Sequence, residues 1–85
     1  MIEVNLSSNE QKSITIPPRE TVKITNLIRY QLISGQVYFG YTDISSGNPR
    51  GFKLKEDDFA IEAESKEIYF RNIGTSTVLL EVLGG

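Results

Sequence analysis

The heptapeptide Gln36-Val37-Tyr38-Phe39-Gly40-Tyr41-Thr42 decides the fold class. Side chains of an extended chain alternate between faces. Val37, Phe39 and Tyr41 therefore share one face, and Tyr38 and Gly40 share the other. Glu67-Ile68-Tyr69-Phe70-Arg71-Asn72 repeats the pattern, with Ile68 and Phe70 on one face and Tyr69 and Arg71 opposite. Alternation of this kind marks half-buried strands.

The same period extends in both directions. Val78, Leu80 and Val82 fall on one face near the end of the chain, so if they face the core, Leu79 and Leu83 face outward. At the other end, Ile2, Val4 and Leu6 form a first strand, followed by the polar turn Ser7-Ser8-Asn9-Glu10. Residues 13–16 form a second, stopped by Pro17-Pro18, which cannot donate ladder hydrogen bonds. Residues 21–27 alternate around Val22 and Ile24, and residues 28–33 either continue that strand or turn a corner before Ser34-Gly35. Residues 43–51 (DISSGNPRG) read as a loop. Phe52 and Leu54 open a short strand that ends at the acidic turn Lys55-Glu56-Asp57-Asp58, after which Phe59, Ile61 and Ala63 alternate again. A helix over residues 55–67 would align Phe59 with Ala63 and then meet Lys66 and Glu67. Its apolar stripe fails after one turn, so the segment is predicted as strand.

Composition agrees. Ten Ile, five Val and six Thr stand against two Ala, and β-branched side chains favour pleated surfaces over helices. The prediction is a single all-β domain over residues 1–85: a small antiparallel β-sandwich or jelly-roll-like barrel of seven to eight short strands. The order of those strands stays open between a jelly roll and an immunoglobulin-like sandwich. A domain of 85 residues buries only about 60–65% of its unfolded surface, and a small sheet exposes edges that invite pairing. Both considerations point to self-association or docking on a larger partner. Leu27, Ile28, Tyr30, Leu32 and Ile33 cannot all lie on one face of a regular strand. Either a neighbouring subunit covers the second face, or the strand is locally irregular, through a bulge or a cap by the N-terminal segment.

The chain offers little for catalysis. It contains no Cys and no His, which removes thiolate chemistry, cysteine-based metal centres and the usual neutral-pH base. No S-x-x-K, P-loop or dinucleotide-binding motif occurs. Glu56-Asp57-Asp58 and Asp43 are carboxylates in predicted loops, but they match no calcium-loop spacing and read as solvated turns. The expectation is no enzyme, no cofactor and no metal. A net charge of −2 with scattered Lys and Arg argues against nucleic acid. No apolar run approaches the ~20 residues of a membrane span, and the first residues lack the pattern of a signal peptide. The outward tyrosines, Tyr38 and Tyr69, can stack on sugars or bases, anchor a protein interface, or serve merely as cross-strand neighbours.

Several segments resemble small bacteriophage virion structural proteins of the β-sandwich type. They are Val37-Tyr38-Phe39-Gly40-Tyr41, Gly51-Phe52-Lys53-Leu54, Glu67-Ile68-Tyr69-Phe70, Gly74-Thr75-Ser76-Thr77-Val78 and Glu81-Val82-Leu83, preceded by Val22-Lys23-Ile24-Thr25-Asn26. The sequence departs from that pattern at Lys55-Glu56-Asp57-Asp58, where a glycine-containing turn is usual, and in a longer loop over residues 45–50. The resemblance implies a non-enzymatic role in the virion, made in the host cytoplasm. That role would be a head decoration (cement) protein or a minor component of head, neck or tail. It implies a homo-oligomer, most often a trimer, in contact with a major capsid or other virion protein. Tyr38, Tyr69, Leu79 and Leu83 are the candidate contact residues, with Asn48 and Arg50 on the loop that would reach a neighbour. The alternatives are a receptor- or carbohydrate-binding module of a phage tail or fibre, and a small cellular adaptor.

Overall fold

The protein's structure is a computed structural model that describes residues 1–41, 52–54, 59–61 and 67–85. Among these residues the chain forms strands and no helix: β1 (Ile2–Asn5), β2 (Gln11–Ile16), β3 (Thr21–Thr25), β4 (Leu27–Ser34), β5 (Val37–Gly40), β6 (Phe52–Leu54), β7 (Phe59–Ile61), β8 (Glu67–Asn72) and β9 (Val78–Gly84). They build two sheets, one five-stranded in the order β1-β3-β8-β5-β6 and one four-stranded in the order β2-β9-β4-β7. Counting inward from both ends, β2 pairs with β9, β3 with β8, β4 with β7 and β5 with β6, all antiparallel. One long hairpin ribbon is thus folded so that successive strand pairs fall in alternate sheets, which is the winding of a jelly roll.

Among the described residues there are nine strands, where the sequence predicts seven to eight; residues 21–33 divide into β3 and β4 in different sheets, so of the two courses left open for residues 28–33 the chain takes the corner. Asn26 makes that corner with φ 66°, a left-handed conformation that Asn tolerates better than most residues. Its Nδ2 donates to the carbonyls of Leu6 at 3.0 Å and Gly85 at 2.8 Å, tying both chain ends to the corner. The sandwich is also not wholly antiparallel, since β1 runs parallel to β3. Between them the chain reverses at residues 7–10, crosses to the other sheet as β2, and reverses again through Pro17-Pro18-Arg19-Glu20. Two reversals restore the original direction, so β2 serves as the crossover that a parallel pair requires.

The two-sided apolar strand proves to be irregular. Leu27, Tyr30 and Leu32 are all buried, and the register of β4 against β9 shifts between Leu27 and Arg29 and again between Leu32 and Ser34. Ile28 and Ile33 sit at these two bulges, half-buried. Each bulge inserts one residue and so resets the alternation, and this accounts for the pattern within a single chain. Residues 59–61 are strand, as predicted, with Ala60 paired to Tyr30.

Inward residues of both sheets form one core. Tyr30 from the four-stranded sheet meets Phe70 edge-on at 5.2 Å and Phe39 at 5.9 Å between ring centroids, geometries favoured by the ring quadrupole. Asn72 closes one end. It follows Ile68 and Phe70 at the inward parity and is fully buried. Its Nδ2 donates to the carbonyls of Ile16 at 2.9 Å and Ser76 at 2.8 Å, while its Oδ1 accepts from the Gly74 amide at 2.9 Å. Asn26 fastens the opposite end of β3.

Candidate interaction surface

The outer face of the five-stranded sheet carries the two tyrosines singled out from the sequence. Tyr38 on β5 lies directly across from Arg71 on β8, and Tyr69 on β8 lies across from Gly40 on one side and Lys23 on the other. Tyr38 and Tyr69 are therefore diagonal cross-strand neighbours, a separation of about 7–8 Å that aromatic side chains can bridge. Gly40 places no side chain opposite Tyr69. Both tyrosines are half-buried.

Arg71 stands between the tyrosine row and β3. Its Nη1 donates to the Thr21 hydroxyl at 3.1 Å. Its Nε is buried and, among the described residues, meets no hydrogen-bond acceptor. Lys23, one residue pair further along, lies 3.6 Å from a Glu3 carboxylate oxygen and 3.4 Å from one of Glu67. The Glu67 carboxylate is the main reason that the Lys23 pKa is raised above its ordinary value; partial burial opposes this, and Tyr69 and Glu3 add smaller pulls upward. Opposite charges thus cluster at Lys23, while the guanidinium of Arg71 is held by a neutral hydroxyl. Tyr69 and Arg71 share a face by alternation alone. Only the β5–β8 register shows that Tyr38 joins them.

The predicted contact residues do not form one patch. Leu79 and Leu83 do point outward, but from the four-stranded sheet, on the opposite side of the sandwich from Tyr38 and Tyr69. Glu81 separates them along β9, and its carboxylate accepts from the Ser13 hydroxyl through both oxygens at 2.7 and 2.8 Å. Asn48 and Arg50, the acidic run 56–58 and Asp43 lie outside the described residues. Among the described residues no group of three or more His, Cys, Asp or Glu side chains is placed to hold a metal ion. No helix of the described residues is long and apolar enough to cross a membrane.

The fold and this face define a jelly-roll domain with an outward Tyr–Arg–Tyr cluster. Comparison with protein-family models, curated proteins and solved structures gives no match.

Proposed function

We propose that this protein is a non-enzymatic structural component of a virus particle, a decoration protein that seats on the assembled capsid shell. The observation that carries the reading is the gathering of Tyr38, Arg71 and Tyr69 on one outward sheet face. Tyr and Arg are the residue types that dominate binding energy at protein interfaces. Their backbones are fixed by ladder hydrogen bonds on adjacent strands, so little entropy is lost when a partner docks. The jelly roll adds support by analogy at the level of fold, since viral capsid domains and lectins use it. The resemblance of residues 22–26, 37–41, 51–54, 67–70, 74–78 and 81–83 to phage virion proteins points the same way.

A protein that binds only the assembled shell stabilises that shell by mass action, which needs no titrating chemistry. In this reading the protein acts as a homo-oligomer, a trimer, with the tyrosine face towards the shell and neighbouring copies in contact around Leu79. The test is co-sedimentation of the purified protein with empty shells of the virus. Tyr38→Glu combined with Tyr69→Glu should lower the bound fraction at least tenfold, while circular dichroism shows the fold intact. Leu79→Glu, on the opposite face, should instead reduce the mass measured by light scattering. Unchanged shell binding by the double tyrosine variant refutes the assignment of that face.

A further inference from the structure

The outer face of the four-stranded sheet holds a second arrangement, independent of the tyrosine face. Rows of residues cross β2, β9 and β4 there. Gln11, Leu83 and Arg29 form one row, and Ser13, Glu81 and Gln31 form the next. Among them lies a shallow depression of about 210 Å³ lined by Gln11, Arg29, Gln31, Glu81, Val82 and Leu83. We infer that this depression binds one ring of a neutral saccharide.

A sugar ring presents hydroxyls that both donate and accept, together with an apolar C–H surface. The two glutamines each offer donors and an acceptor, Arg29 offers a fork of donors, and ionised Glu81 only accepts. Ser13 clamps the Glu81 carboxylate through both oxygens, and a carboxylate still has lone pairs to offer after accepting from one hydroxyl. Leu83, between Gln11 and Arg29, supplies the apolar surface. The charges of Arg29 and Glu81 cancel within the site, so an anionic sugar gains nothing from it. The volume falls below the roughly 300–1,000 Å³ of pockets for drug-sized ligands, which leaves room for a single ring. An outward polar row is ordinary on an antiparallel sheet. The concavity around a clamped carboxylate, with balanced charge and one leucine, is what selects this ligand class. Sites carried on strands are also held more rigidly than sites on loops.

Affinity for one ring is weak, with a Kd on the order of 1 mM. Many copies arrayed on one particle raise the effective affinity for a glycan-covered surface.

The test is titration of the full-length ¹⁵N-labelled chain with glucose, galactose, mannose, N-acetylglucosamine and N-acetylneuraminic acid, followed by amide chemical shifts. At least one neutral sugar should produce saturable shifts at Gln11, Gln31, Glu81 and Leu83, and the acidic sugar should produce none. Gln31→Ala and, separately, Glu81→Gln should weaken binding tenfold or more, and the same spectra report whether each variant is folded. Tyr69→Ala should bind as the parent does. Three results overturn the inference: no saturable shift from any sugar up to about 50 mM, shifts centred on Tyr38 and Tyr69, or equal binding of the acidic sugar. Each leaves the decoration reading standing, because the shell contact in that reading rests on the opposite face and the self-contact on Leu79, which does not line the depression.

Discussion

Replacing Asn72 by alanine should destabilise the fold more than any surface change. Its side chain is fully buried and makes three hydrogen bonds, to the carbonyls of Ile16 and Ser76 and from the amide of Gly74. Each such bond contributes about 0.5–1.5 kcal/mol net, and a buried group left without a partner costs about 1–3 kcal/mol. The bond to Ile16 is buried and the other two are partly so, which puts the total near 3 kcal/mol rather than at the sum of the upper limits. For 85 residues, a stability of roughly 0.05–0.15 kcal/mol per residue gives about 4–13 kcal/mol, so the change removes a large share of it. At about 4–8 °C per kcal/mol for a domain this size, the melting temperature should fall by about 12–24 °C. Urea unfolding followed by circular dichroism measures the loss directly, with an unchanged slope showing that both end states are preserved. Asn72→Asp sharpens the test. An ionised carboxylate would face two carbonyl oxygens, which raises its folded pKa above the unfolded value near 3.9. Its deficit relative to the parent should therefore be largest at neutral pH and shrink as pH falls towards the unfolded pKa. A loss below about 0.5 kcal/mol for Asn72→Ala, within the range of ordinary surface substitutions, would refute the view that Asn72 closes this end of the sandwich.

Three further outcomes follow from the same structure. Gly84→Ala would drive a Cβ into the Ser7 carbonyl and within 2.8 Å of the Leu6 Cβ; because backbone must move, differential scanning calorimetry should show a loss of about 2–3 kcal/mol. Arg19 holds φ at 62° in the turn after Pro17-Pro18. Left-handed backbone costs an L-residue about 1–2 kcal/mol and glycine's extra flexibility costs about 0.5–1 kcal/mol, so Arg19→Gly should raise urea stability by about 0.5 kcal/mol. For Lys23, whose folded pKa is raised chiefly by Glu67, the linked stability is complete below the unfolded pKa and is lost as pH rises through the folded one. Denaturant midpoints of the parent and of Lys23→Gln should accordingly differ by a constant amount at lower pH and converge only as pH rises above the unfolded lysine pKa of about 10.4.

Strand faces were legible in the sequence because alternation is a local property. It placed Tyr38, Tyr69, Leu79 and Leu83 outward and separated them from Phe70, Leu80 and Val82, as the structure has them. Asn72 was legible in principle too, as a polar residue at the inward parity after Ile68 and Phe70. Bulges were not, since Ile28 and Ile33 look like any other apolar residues until the register against β9 is known. The corner at Asn26 and the parallel course of β1 depend on which sheet each strand joins, and that is decided by long-range pairing. For the same reason the sequence could not show that the tyrosines and the leucines lie on opposite faces, or that Arg71 joins Tyr38.

The most direct test of the decoration role is quantitative mass spectrometry of gradient-purified virus particles from the source culture, scaled to the major capsid protein. The account predicts a copy number comparable to that of the major capsid protein. Absence from intact particles, or only a few copies in each, would contradict it.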